Sequence, residues 1–336
     1  MDRETNFFSL DIGLNYFKLA YAAFNKDQIE LKNLGLIFFP YNIYSTDNQE
    51  IVQEASQTIQ KLIKEANINI KNVNIIIPNS VSFTQVIPMP YLNEKELISA
   101  IKYQADKFIP LPIEETNVDL EILEENKNQK TILALIVAAP KKVIEKVKEI
   151  VEVTGLIPES IENETTAVSR FFTQTRLANL AFDFNFDDST FYYFDKENFL
   201  LREIYNFKIG YIHFREEIQI NTNLKLNQCE EILENYLVGT KTTVAVEEII
   251  SPLIEELFIE FKKFFTLITG KYKEQISNVC IFNHVVKFPA LTNLLNKKIP
   301  NFFNILDLKN QIKKNSVFDA NKHHIPFFVA PIGANL

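Results

Sequence analysis

Within residues 7–24, FFSLDIGLNYFKLAYAAF, apolar side chains alternate on both sides of a single Asp-Ile-Gly, and no other stretch narrows the choice of fold so far. Phe8, Leu10 and Ile12 precede the turn and Phe17, Leu19 and Tyr21 follow it, the period-2 pattern of a half-buried β-hairpin. Gly13 is the residue free to take positive φ or to let another backbone come close. With Asp11 as acceptor, Lys18 as cation and open amides near Gly13, such a turn can hold a phosphate and its metal. The plain alternative is a hairpin with a glycine turn and one surface lysine.

The pattern continues with a strand over 28–36 and a helix over 48–66 that sets Ile51, Val52, Ala55, Ile59, Leu62 and Ile63 on one face. A strand over 73–77 stops at Pro78, completing the opening of an α/β lobe. Residues 81–139 read as strand, helix, strand, strand, with the helix over 93–108 begun by Asn93 and ended by Pro110. A helix then starts at Pro140 and stops at Gly155, and another lies within 160–175. The segment FDFNFDD near Asp183 repeats the strand and acidic turn seen near Asp11, so a second lobe built like the first is the economical reading. Its long helix is expected to start at Ser251 with Pro252 and to carry Phe258, Phe261, Phe264 and Phe265 into a core.

Several function classes are demoted by composition. A net charge of -8 with dispersed lysines gives no footprint for nucleic acid. Cys229 and Cys280 are far apart and read as buried thiols of a reducing compartment. The start lacks a basic segment followed by an apolar one, and the run 132–140 is too short to span a bilayer, so a cytoplasmic chain without membrane insertion is expected. Adjacent His323 and His324 point apart, and Asp187 with Asp188 reads as a solvated turn or helix cap, so no metal site is expected. No nucleophile, base and acid arrangement is visible, and no catalytic residue is assigned.

Three blocks together resemble the type IV pilus assembly protein PilM family, which has an actin-like ATPase fold related to FtsA. They are FSLDIGLNYFKLAY, PMPYLNEKELISAIKYQADKFIPLPIEETNVDLEIL, and AAPKKVIEKVKEIVEVTGLIPESIENETTAVSRFF, the last through Gly155, Pro158, Glu164, Ala167 and Arg170. The resemblance implies an α/β fold of the actin-like, ribonuclease H-like type, with two lobes. A first lobe would span 1–80, an inserted SHS2-like strand-helix-strand-strand subdomain 81–150, and 151–179 would return to the first lobe. A second lobe would span 180–318 with a helical subdomain near 222–272, and 319–336 would pack on the first lobe.

For the site, the resemblance implies contacts to Mg-ATP at Asp11, Gly13, Lys18, Asp183 and Gly210. Three of the four contact points the family uses have lost glycine: Asp183-Phe184-Asn185 in the second Asp-x-Gly loop, Gly210-Tyr211 where two glycines are usual, and Asn283-His284-Val285-Val286 on the adenosine side. A Cβ holds a phosphate or purine off, and β-branched valines resist positive φ. A degenerate nucleotide site without a bound cofactor is therefore expected. The implied function is a cytoplasmic adaptor, peripheral to the inner membrane, that binds the short cytosolic tail of a PilN-like protein, with a pilus motor ATPase as a further implied partner. The tail would lie beside the insert along 103–115, with Tyr103, Phe108, Ile109 and Leu111 as its wall. The alternative is an active ATPase or phosphotransferase using Asp11, Lys18 and Asp183 around magnesium. An FtsA-like tethered filament would need a basic amphipathic tail, which APIGANL does not supply.

Overall fold

The computed structural model describes residues 6–25, 28–92, 96, 97, 99, 109–236 and 244–336. It divides into two units, Met1–Thr175 with Lys309–Lys322 and Phe328–Leu336, and Arg176–Leu308 with His323–Phe327.

In the first unit, β1 (Phe8–Ile12) is the middle of a five-stranded sheet with β2 (Tyr16–Asn25), β3 (Gln28–Phe38), β4 (Asn72–Ile77) and β8 (Ile157–Asn163), in the order β3-β2-β1-β4-β8. Two helices, α1 (Gln49–Glu65) and α2 (Lys141–Val153), cover one face through Val52, Ala55, Ile59, Leu62, Val143, Val147 and Ile150, which meet Phe8, Leu10 and Ile12. Where they meet, the Ser56 hydroxyl donates to the Ile150 carbonyl at 3.1 Å. The other face takes α3 (Glu164–Thr175) and the short tail helix α9 (Val329–Gly333). All five residues of β1 are therefore buried, and the hairpin is not half-exposed as its alternation suggests. Its polar positions are satisfied internally: Ser9 donates to the Pro331 carbonyl at 2.6 Å and accepts from the Asn335 amide at 2.7 Å.

The insert is a three-stranded antiparallel sheet of β5 (Phe83–Pro90), β6 (Thr116–Asn126) and β7 (Thr131–Pro140), ordered β5-β7-β6. Ile87, Met89, Leu97, Ile109, Ile132, Ala134 and Ile136 form its own core. Apart from Glu96, Leu97 and Ser99, the segment 93–108 lies outside the described residues, and Tyr103 and Phe108 with it.

The second unit repeats the first strand for strand. β9 (Leu180–Phe184), β10 (Ser189–Phe194), β11 (Leu201–Phe207), β12 (Val279–Asn283) and β13 (Phe303–Ile305) run in the order β11-β10-β9-β12-β13. In both sheets the first three strands are antiparallel and the last two parallel to the first. Four further helices, α4 (Tyr211–Thr222), α5 (Leu226–Asn235), α6 (Val244–Tyr272) and α7 (Ala290–Asn296), belong to this unit. Phe191 stacks on Phe182 at 4.5 Å and on Phe264 at 5.7 Å, and Phe261 and Phe264 are each 1% exposed. Of the phenylalanine stripe of α6, Phe261 and Phe264 are thus core, while Phe258 and Phe265 are half-buried.

Three local expectations change. β8 occupies residues expected to be loop and helix start, because an edge strand containing Pro158 needs no full alternation. α6 begins at Val244, seven residues before Ser251, and Pro252 sits within it. Buried Ile250, Ile254 and Leu257 anchor both sides of that proline, and its missing N–H faces an exposed turn. Residues 309–318, expected in the second lobe, lie on the first unit: Ile312 bridges Ile29, and the Lys313 amide donates to the Ile29 carbonyl at 2.8 Å. They precede the short helix α8 (Ser316–Asn321).

Candidate functional site

The turn after β1 sets the first group of side chains. Register places Asp11 directly opposite Lys18, and the ammonium meets the carboxylate at 2.8 Å with each side chain 4% exposed. Lys18 is therefore a buried counter-ion and not a surface lysine. Burial pushes the Asp11 carboxyl above its usual range, while Lys18 pulls it back. Next to it, the Tyr44 hydroxyl donates to the Ile12 carbonyl at 2.6 Å, and burial, then Asp11 and Glu164, push its ionisation well up. Gly13 does not take positive φ. It is needed for close approach: a Cβ there would stand 2.8 Å from the Tyr16 carbonyl oxygen, to which the Gly13 amide donates at 3.1 Å.

A second group forms in the other unit around the end of β9. Asp183 is fully buried and accepts from the Asn283 side-chain amide at 2.8 Å. Asn283 ends β12 with φ 70° and ψ -124°, a conformation for glycine that costs a side-chain-bearing residue about 1–3 kcal/mol. So the loop after β12 has a glycine-like backbone without a glycine, and the strain sits on Asn283, not on Val285 or Val286.

The loop after β9 folds directly onto Gly210, where a Cβ would lie 2.6 Å from both the Asp188 nitrogen and the Phe186 oxygen. The first amides of α4 are spent on it: Tyr211 N–H donates to the Asn185 carbonyl at 2.9 Å and Ile212 N–H to the Phe186 carbonyl at 2.8 Å. The Gly210 N–H donates to the His213 ring at 3.0 Å. Above this loop, His284 lies 5.6 Å from Phe186, 5.6 Å from Tyr211 and 4.6 Å from Phe327, centroid to centroid, and all four residues are at most 5% exposed. The guanidinium of Arg215, paired with Glu230 at 2.8 Å, sits over the Phe186 ring.

Asp188 departs from expectation. It is fully buried and not a solvated turn residue, with one carboxylate oxygen accepting from Asn206 at 2.9 Å. Burial, and then the neighbouring charge of Asp187, push it up to about 7. Sequence reading missed this because an Asp-Asp pair after a strand carries the signature of an exposed turn.

Of the residues expected to face a partner, Ile109 is 3% exposed inside the insert core and Leu111 packs half-buried against the same core. Ile109 therefore offers no surface. Sequence reading passed over a charged cluster nearby: Arg170 holds Glu162 at 2.9 Å and donates to the Gly333 carbonyl at 3.0 Å. Glu121 of β6 feels both, and its carboxyl is raised by burial and by Glu162 and Asp119 against the pull of Arg170. The signal was available in Arg170, already marked by its motif.

No described helix is long and apolar enough to cross a membrane, and no three His, Cys, Asp or Glu side chains among the described residues could hold a metal ion. Comparison with solved structures places the fold. The chain matches a structure titled "PilM-PilN type IV pilus biogenesis complex" with a TM-score of 0.82 at 18% identity, over 99% of this chain and 98% of that one. It also matches the ethanolamine utilization protein EutJ from Carboxydothermus hydrogenoformans with a TM-score of 0.55 at 10% identity, over 98% of this chain and 88% of that one. The fold is actin-like, as the doubled sheet order requires. The profile of the family described as type IV pilus assembly protein PilM matches residues 9–186, more than half of the sequence, and the chain belongs to that family.

Proposed function

We propose that this chain is a PilM-like adaptor of a type IV pilus assembly platform, binding the short cytosolic tail of a PilN-like membrane protein and held at the inner membrane through it. The observation that carries the reading is the state of the second unit, where a nucleotide-handling fold has spent its anion-binding groups on itself. Amides at the start of a helix bind anions only while they are free, and those of Tyr211 and Ile212 are taken by Asn185 and Phe186. The rings of His284, Phe186, Tyr211 and Phe327 pack together beside that loop. The residues present do not fit Mg-ATP. Family membership, and the fold of a complex titled for PilM and PilN, supply the partner class.

The test is direct titration of the full chain with a synthetic peptide of the PilN-like tail. Binding in the micromolar range, about -8 kcal/mol, is expected; no binding at millimolar peptide would overturn the adaptor reading. A thermal melt in millimolar Mg-ATP separates the alternative. At one hundred times its Kd a ligand adds about 2.7 kcal/mol to the folded state. The expected result is an unshifted transition, and a rise of several degrees would restore the ATPase reading.

A further inference from the structure

The long helix α6 is packed on one side only, and its second half differs in charge between the two sides. Leu257, Phe261, Phe264 and Ile268 are buried, with Phe264 against Phe191 of β10 and Phe261 against Phe303 of β13. Over residues 259–273 the exposed charged side chains are Lys262, Lys263, Lys271 and Lys273. The one carboxylate there, Glu260, is half-buried and accepts from the Tyr205 hydroxyl at 2.5 Å. Ile259 and Leu267 stand among the lysines, 45% and 49% exposed.

Duties within the fold account for only part of this array. Lys263 pairs with Glu260 at 2.6 Å and Lys271 with Glu203, yet both lysine side chains are more than half exposed, a setting in which a pair is worth about 0–1 kcal/mol. Lys271 also meets the negative end of the helix dipole. Lys262 lies over the Phe258 ring, and among the described residues neither it nor Lys273 is in an ion pair. In a chain of net charge -8, this face therefore has positive charge to offer.

The spacing selects what it can be offered to. Ile259 and Leu267 are about 12 Å apart along the helix, with Lys263 and Thr266 between them on the exposed side. A partner helix needs an apolar side chain every three or four residues, and that seam is missing. A second copy meeting this face across a two-fold axis sets lysine against lysine. A headgroup layer needs no seam: phosphates take the ammonium groups, while lysine stems and scattered aliphatic side chains settle at the interface.

We propose that the outer face of α6 over residues 259–273 is a contact surface for anionic phospholipid, with Lys262, Lys263, Lys271 and Lys273 on the phosphates, Ile259 and Leu267 at headgroup depth, and no segment crossing the bilayer. It goes beyond the adaptor reading and rests on it only for bringing the chain to a membrane.

The experiment is flotation of the full chain with vesicles of phosphatidylglycerol and phosphatidylcholine, and with vesicles of phosphatidylcholine alone. At low salt the chain is expected to float with the first and not the second, and to be released at high salt. K262Q/K273Q should weaken partition about tenfold, since each lysine near an anionic surface counts severalfold. A control pair on α1, K61Q/K64Q, removes the same charge and should float within about twofold of the parent. On the unsubstituted chain, lysine acetylation read by mass spectrometry should slow at Lys262 and Lys273 when anionic vesicles are present and stay unchanged at Lys61 and Lys64, a readout that does not depend on any variant folding. Equal flotation of all variants without that protection, or no flotation at all, overturns the lipid face and leaves the adaptor reading to the tail titration. Retention on polyglutamate without flotation assigns the face to an acidic protein segment and overturns it as well.

Discussion

Lys18→Met is expected to destabilise the first unit by roughly 3–5 kcal/mol at neutral pH, the cost of leaving one member of a buried ion pair without its partner. The ammonium and the Asp11 carboxylate are 2.8 Å apart with 4% of either side chain exposed, so no water is at hand to replace it. The pH dependence gives the prediction its signature. Burial already holds the Asp11 carboxyl above its unfolded value of 3.8, so the folded state binds that proton more tightly than the unfolded chain does. Stability from this group is therefore fully present below the unfolded value and falls as pH rises through the folded one. Removing Lys18 raises the folded value further, and the loss should be large at pH 7.5 and shrink as the solution is acidified toward pH 5. Asp11→Asn combined with Lys18→Met should recover most of the loss, since no isolated charge is left. Urea midpoints followed by circular dichroism measure all three variants, the chain having no tryptophan. A Lys18→Met variant as stable as its parent at pH 7.5 would show that the pair is solvated.

How much of this could be read in advance divides along a physical line. The hairpin was legible because apolar residues alternate in the sequence on both sides of Asp11-Ile12-Gly13, although the structure buries every residue of β1, and a one-residue slip would move every side chain to the other face. α1 was legible because its apolar positions repeat at helical spacing, and Val52, Ala55, Ile59 and Leu62 are all buried. β8 was not, since an edge strand with mixed exposure leaves no period to detect. β13 is three residues long, too short for any pattern. At the site, the missing glycines were visible, but what replaced them was not. That Asn283 retains a positive φ, and that Phe186, Tyr211 and Phe327 gather around His284, depend on β12 lying beside β9 and on a tail segment more than forty residues further on. Such contacts exist only in the folded unit, so local sequence carries no trace of them.

Gly210 offers the sharpest separation between a glycine kept for a ligand and one kept for the chain itself. If it were retained only to admit a phosphate, Gly210→Ala would lose binding and leave the fold alone. The atoms a Cβ would meet are backbone: the Asp188 nitrogen and Phe186 oxygen at 2.6 Å and the Asp187 carbonyl carbon at 2.7 Å. None can rotate away, so the loop must shift and strain the Tyr211 and Ile212 hydrogen bonds to Asn185 and Phe186. A loss of roughly 2–4 kcal/mol is expected. Gly270 is the internal control. It lies within α6 with nothing inside 4 Å of its Cβ position, so Gly270→Ala should stabilise by about 0.5–1 kcal/mol. The displaced loop also contains Asp188, whose carboxyl is held at about 7 by burial and by Asp187. Because that folded value is raised, the parent should lose stability as pH climbs from about 4 toward 7. Gly210→Ala admits water to the carboxylate and should flatten that slope. Opposite signs for the two glycines in thermal melts, with a flatter pH profile for Gly210→Ala, would show that the loop closes on the chain's own backbone. A Gly210→Ala protein with parental stability at every pH would mean that Gly210 is held for something the chain binds.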